Sequence, residues 1–240
     1  MISHIFHVGL YQPLYNGLVF LVDSIPTHDI GLAVIALTIL TRIIIYPLSK
    51  RAIQTQMAMK KIAPEVERVK EKHKNDREAQ SKAIFALYKE RGVHPFASFG
   101  LVLVQFPVLI ALYWVFYKGG FPAVDAPILY SFVPTPETIN MQFLGLVDMG
   151  QRSVLIALLA ALTQLVYTRL SMGPRGRQTA AEATLSSDMA RSFDLQARYI
   201  LPIIIGVIGY TIPAAAPLYW TTSNLFMIGQ EYFMGRRFRG

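Results

Sequence analysis

GLAVIALTILTRIIIYPLSK, residues 31–50, carries a single charge in its first nineteen positions, Arg42. A helix needs about 20 predominantly apolar residues to cross the hydrocarbon layer, and residues 31–48 supply them, ending near Pro47 with Lys50 and Arg51 in the interface. Three further charge-free runs, 95–117, 153–168 and 199–230, repeat the pattern. Burying four such runs on all sides would need more surrounding chain than 240 residues contain. The composition agrees: 16% of residues are charged, against about 25% in an ordinary soluble domain. The expected fold class is all-α, a polytopic membrane protein.

The run 199–230 fixes the number of spans. As one helix it would extend about 48 Å, more than the bilayer core is thick. Pro213 and Pro217 offer the interruption, since proline lacks the donor that continues a helix ladder. Two spans, about 199–212 and 218–232, bring the total to five. Basic residues then set the orientation. Segment 50–91 holds twelve Lys and Arg against six Asp and Glu, segment 169–198 holds five against three, and Arg236, Arg237 and Arg239 crowd the tail. By the positive-inside rule these regions face the cytoplasm, which puts the N-terminus out and the C-terminus in. The net charge of +8 is thus explained by the membrane and gives no ground for sequence-specific nucleic-acid binding.

Between the spans the chain divides readily. Residues 1–29 form an exterior segment without the basic n-region of a cleaved signal; its stretch 14–22 is too short to span and reads as interfacial. Residues 51–92 show helical apolar spacing on both sides of Lys74, Asn75 and Asp76, a cytoplasmic helical hairpin whose first arm Pro64 interrupts or restarts. An exterior loop, 119–151, is kept from regular helix by Pro122, Pro127, Pro134 and Pro136, and its apolar stretch 143–147 is expected at the interface. The third span occupies about 153–170, a cytoplasmic loop 171–198, and a basic tail 233–240. Residues 30–240 together make the five-span core.

The chemistry-bearing residues lie within the spans. Arg42 stands about 12 Å above Lys50 by helix rise, at a depth where a charge costs about 2.5–3.5 kcal/mol on insertion scales. Gln105, Gln164 and Asn224 fall about 15, 8 and 10 Å from the inner ends of three other spans, so four polar side chains from four helices share one layer of the inner leaflet. Thr38 and Tyr46 lie one turn either side of Arg42 on its face. Plain alternatives are snorkelling of Arg42 to the headgroups and hydrogen bonding that merely holds helices together. Against the first, the stem would have to reach past two helical turns and other polar residues share the layer; against the second, the spans offer no Asp or Glu to neutralise Arg42. A wet cationic pocket in the inner half suits a passing polypeptide. A small anion channel or transporter, and a non-catalytic partner subunit of a membrane complex, are the rival readings, although the outer halves of the spans show little polar path.

Enzymatic motifs are missing. The chain has no cysteine, no GxxxxGK(S/T), HExxH or GxSxG, and no intramembrane carboxylate pair. His4, His7, His28, His73 and His94 are scattered and form no metal set. The expectation is no enzyme, no cofactor and no metal.

A series of short marks runs the length of the chain: Leu14-Tyr15-Asn16, residues 37–42, Pro47-Leu48, residues 87–90, His94-Pro95, Gln105-Phe106-Pro107, residues 111–114, Leu201-Pro202, Pro213-Ala214, Leu218-Tyr219-Trp220, Ser223-Asn224-Leu225, then Ile228, Gln230 and Tyr232. Each is weak alone, but in this order and spacing the chain resembles the YidC/Oxa/Alb family of membrane-protein insertases, in its short five-span bacterial form. It departs from that pattern at Tyr167-Thr168, where relatives often carry glutamines, and at 214–217, where a glycine is common. The resemblance implies an insertase and chaperone of the bacterial inner membrane, working as a monomer. Its lipid-open hydrophilic groove would be centred on Arg42 and lined by Thr38, Tyr46, Gln105, Gln164, Tyr219 and Asn224. It implies a mobile hairpin that receives nascent membrane proteins, and partners among the ribosome, targeting factors, the Sec translocon and anionic lipids. Arg236, Arg237 and Arg239 would be the ribosome or lipid contacts.

Overall fold

The computed structural model describes residues 4, 6–93, 107–108, 110–111, 113–116, 121–172 and 195–236. Two compact units emerge, one made of residues 1–43 with 108–240, the other of residues 44–107. In the first unit, a π-turn over His7–Tyr11 leads into α1, Gln12–Ser24, with a proline in the opening turn where no ladder donor is needed. Leu14, Tyr15, Leu18, Val19 and Val22 recur on one face of α1 and are buried. They pack among Ile30, Ala33, Val34 and Leu37 of the next helix and Leu218 and Tyr219 of the last. One face of residues 14–22 is thus turned to protein, while Phe20 is exposed.

Helix α2, Ile30–Lys72, is continuous through Pro47 and Pro64. The span expected to end near Pro47 is part of this longer helix, and Pro64, expected to interrupt or restart the arm, does neither. Each proline removes one donor from a ladder of some forty residues, and strong helix formers on either side carry the helix across the gap. The second unit contains the rest of α2 and α3, Arg77–Glu90. Asp76 caps α3 by accepting from the Glu78 and Ala79 amides at 3.0 Å each. Ile62, Val66 and Val93 form its small core with Met59, Ile84 and Leu87. Gln80 donates to the Lys70 carbonyl at 2.9 Å across the turn.

Residues 121–153 contain no α-helix: a short 3-10 turn at Ala126–Ile128 is followed by a hairpin of β1, Gln142–Phe143, and β2, Val147–Asp148. The apolar stretch 143–147 is thus the hairpin itself. The segment is stitched to α1, where Asn16 donates to the Ile128 carbonyl at 3.0 Å and accepts from the Tyr130 amide at 2.6 Å, and the Tyr15 hydroxyl accepts from the Asp125 amide at 2.7 Å.

Helix α4, Val154–Met172, packs against both α5, Leu201–Thr211, and α6, Ala215–Phe233. A π-turn over Gln196–Ile200 precedes α5. The chain breaks at extended Ile212 and at Pro213, while Pro217 sits in the first turn of α6, so one proline rather than two makes the interruption. A Cβ on Gly209 would lie 3.2 Å from Pro217 and 3.6 Å from Ala157, the close approach that a residue without a Cβ permits between packed helices. Among the described residues, α2 and α4 are long and apolar enough to cross a membrane. The expected second span and the loop 171–198 lie mostly outside the described residues. The helical residues 107–108, 110–111 and 113–116 bury Val108, Ala111 and Val115 in the core.

Candidate functional site

Arg42 and Thr38 occupy one face of α2, and both are buried, Arg42 with 8% of its surface exposed and Thr38 with 1%. The opposite face presents Ile39, Leu40 and Ile43, all exposed. Thr38 satisfies its hydroxyl within the helix by donating to the Val34 carbonyl at 2.6 Å. Arg42 reaches across to α6, where Nε donates to Ser223 Oγ at 2.8 Å and Nη2 donates to the same oxygen. A hydroxyl can accept these bonds but cannot neutralise the charge. Among the described residues no carboxylate forms an ion pair with Arg42. Among the described residues Nη1 has no hydrogen-bond partner, and the buried side-chain polar atom left unpartnered among them is Glu231 Oε1.

Around this contact the helices contribute hydroxyls and amides. Asn224 donates to Thr163 Oγ1 at 3.4 Å, tying α6 to α4, and Gln164 donates to Thr168 Oγ1 at 3.1 Å one turn along α4. Tyr219 is buried, and the phenols of Tyr219 and Tyr167 lie in the neighbourhood of the guanidinium. Arg42, Thr38, Gln164, Tyr219 and Asn224 are therefore all interior residues of the first unit. Tyr46 is exposed and belongs to the second unit. Gln105 lies outside the described residues, as do Arg237 and Arg239.

Two residues need a new account. Ser223, the direct partner of Arg42, escaped the polar layer read from the sequence. Its only signal was its place beside Asn224, and small hydroxyls in apolar helices usually bond their own backbone, as Thr221 and Thr222 do here. Glu231 corrects the expectation that no carboxylate lies in a span. Glu231 falls within the stretch read as about 218–232, just beyond the charge-free run that ends at Gln230, and is enclosed in α6 at 0% exposure. The helix then closes through bonds from the Gly235 amide to the Tyr232 carbonyl and from the Arg236 amide to the Glu231 carbonyl, both 3.0 Å. Gly235 adopts φ +89°, a left-handed turn that glycine tolerates. This return places Arg236 Nη1 2.5 Å from Glu231 Oε2, and within 2.9 and 3.0 Å of the Ser171 carbonyl and hydroxyl oxygens. Arg236 is buried in this pairing, where the sequence reading had an exposed tail cation.

The unit buries a polar cluster beside its apolar core and exposes apolar helix faces. Arg42, Gln164, Thr168, Ser223, Asn224 and Glu231 are buried, whereas Leu155, Leu158 and Leu162 of α4 and Ile203 and Val207 of α5 are more than half exposed. Polar groups enclosed behind exposed apolar faces suit lipid, where an unpaired polar group is costly. Residues 21–240 match the family described as 60Kd inner membrane protein. This chain belongs to that family. It lies within the wider YidC/Oxa/Alb superfamily; the family's description gives the inner membrane as its setting, and the exposed apolar faces of the chain suit lipid. It is similar to the protein named membrane protein insertase YidC from Clostridium tetani, with 30% identity over 206 residues, covering 85% of this chain and 81% of that one. The protein of the same name from Fusobacterium nucleatum is 29% identical over 230 residues, covering 95% and 98%. The match to Methylobacillus flagellatus, 29% over 209 residues, covers 87% of this chain but 33% of that longer family member.

Proposed function

We propose that this chain is a membrane-protein insertase and chaperone that makes and breaks no covalent bond. It has five spans, with N-terminus outside and C-terminus in the cytoplasm. Arg42 is the cation of a hydrated, lipid-open groove in the inner leaflet, with Thr38, Tyr46, Gln105, Gln164, Ser223, Tyr219 and Asn224 along it. A short hydrophilic segment of a nascent membrane protein enters this groove, its polar or acidic groups exchange bulk water for Arg42 and the surrounding hydroxyls, and its apolar part leaves sideways into lipid. The hairpin 51–92 lies in the cytoplasm and receives substrate. Arg237 and Arg239, with Arg236 committed to Glu231, remain for contact with a ribosome or anionic lipid; targeting factors and the Sec translocon are further partners.

One observation carries the reading: a buried arginine whose hydrogen bonds run to a hydroxyl, with Nη1 left over. An arginine kept only to hold helices together would be stabilised by a buried carboxylate, as Arg236 is. The family relationship supports the same function, since relatives covered over most of their length bear the insertase name.

Site-specific crosslinking tests it. A photoreactive residue replacing Leu225, exposed one position beyond Asn224, should capture a stalled nascent membrane span in vesicles, and so should one at Gln105. Capture at neither position, with insertion intact, would overturn the groove.

A further inference from the structure

The turn joining β1 to β2 is built from residues that the turn itself disfavours. Leu146 donates its amide to the Phe143 carbonyl at 3.0 Å, and the two residues between them have left-handed φ, +53° at Leu144 and +73° at Gly145. Glycine tolerates such a φ, and asparagine or aspartate commonly fills the position before it. A leucine there is a strained choice. Its side chain gains nothing from the protein either, since Leu144 is 61% exposed and Leu146 81% exposed.

The tip is nevertheless held in place with care. Asp29, itself buried, accepts from the Gly31 and Leu32 amides at 2.7 and 3.1 Å through Oδ1 and from the Leu144 amide at 2.8 Å through Oδ2. One carboxylate thus fastens the turn to the first turn of α2. The Ile30 amide donates to the Asn140 carbonyl at 3.0 Å on the same side. Phe143 covers Gly31 so closely that a Cβ there would fall 2.3 Å from the ring. The two leucines therefore sit level with Ile30, where the apolar run of α2 begins and a membrane-crossing helix leaves the headgroups.

We infer that Leu144 and Leu146 form a lipid-inserted anchor at the membrane surface where α2 starts, held at that depth by Asp29. In water the sequence of this turn is unfavourable on two counts, backbone and exposure. At a lipid boundary the exposure becomes burial, and the left-handed leucine is the means of projecting an apolar side chain from the end of a short hairpin. The inference rests on α2 crossing the bilayer, and the occupant is lipid rather than a protein partner because the anchor is fixed at the end of a helix whose own exposed residues, Ile39, Leu40 and Ile43, are already lipid-facing in kind.

The chain has no cysteine, so single cysteines can be introduced directly into the full-length protein. Leu146→Cys carries an environment-sensitive fluorophore in phosphatidylglycerol and phosphatidylcholine vesicles, beside Glu137→Cys in the same loop and Leu158→Cys on the exposed face of α4. The Leu146 probe should emit to the blue of the Glu137 probe and be quenched by lipids brominated near the headgroup. Adding Leu144→Asn should leave the melting temperature unchanged or higher while weakening that quenching. A water-like Leu146 probe beside a quenched Leu158 probe overturns the anchor alone, and water-like signals at both overturn the membrane reading with it. Protection at residue 146 that appears only at high protein density, with crosslinking between copies, assigns the tip to a protein contact and overturns the lipid anchor.

Discussion

Arg42 and Arg236 are both 8% exposed, both reach α6, and both are held by hydrogen bonds, yet they are opposite kinds of buried charge. Arg236 closes on Glu231 at 2.5 Å and adds the Ser171 carbonyl and hydroxyl, so its charge is matched inside the protein. Arg42 shares one hydroxyl oxygen between two of its nitrogens and is matched by nothing among the described residues. The first arrangement clamps the end of α6 to the end of α4. The second leaves a cation without a matching charge among the described residues, the one the proposed groove would use. The difference separates holding from acting within one small bundle, and each variant below tests a side of it.

The largest effect is expected at the clamp. Glu231→Gln leaves Arg236 buried without its counter-charge, a loss of about 3–5 kcal/mol for breaking such a pair. It should appear as a marked drop in the thermal unfolding midpoint of the detergent-solubilised protein. Replacing both residues by leucine should recover most of that drop, because removing a buried pair altogether is often close to neutral. A wild-type midpoint for Glu231→Gln would mean that water, not Glu231, carries Arg236, and the contrast would collapse.

Arg42→Ala should reverse the pattern. The midpoint should hold or rise, since the variant removes an unneutralised charge. Insertion of substrates with acidic translocated segments should fall about tenfold, or ~1.4 kcal/mol, near the lower end for a hydrogen bond to a charged group. Substrates with neutral segments should suffer less. Arg42→Lys should retain more activity than Arg42→Ala, because the assigned role is charge and not a two-pronged fork. Equal insertion by wild type and Arg42→Ala across both substrate classes would take Arg42 out of the mechanism.

The sequence revealed these two arginines unequally, for a physical reason. Arg42 stood out because a lone charge in an apolar run is costly wherever it points, so its depth could be read from residue counting. Thr38, Gln164 and Asn224 followed by the same counting and prove to be interior residues. Glu231 and Arg236 lay at the margin of a run, where the return of the chain after α6 through Gly235 decides between solvent and interior, and helix ends are the least legible part of any sequence. Ser223 was hidden by its type, since a serine in a span usually bonds its own backbone. The stitching of 125–130 onto α1 by Tyr15 and Asn16 depends on contacts more than a hundred residues apart, and no local pattern announces those.

Ser223→Ala probes the weaker link. Arg42 would lose its acceptor but keep Nη1, so a cost of about 1 kcal/mol in stability is expected, together with a fall in insertion smaller than that of Arg42→Ala. An insertion defect equal to that of Arg42→Ala would show that Ser223 sets the position of the guanidinium.

A third arginine sets the floor of the comparison. Arg91 meets Glu65 at 2.6 Å in the hairpin, a shorter contact than Arg42 makes through Nε, but both side chains of the pair remain substantially exposed. Water already solvates the separated charges there, and salt screens what attraction remains. Arg91→Ala should therefore give no measurable change in the unfolding midpoint at physiological salt. Ile62→Ala, which removes a buried residue of the same hairpin, should lower it. If Arg91→Ala were instead as damaging as Glu231→Gln, distance rather than burial would rank these contacts, and the separation drawn between the clamp and the open cation would lose its basis.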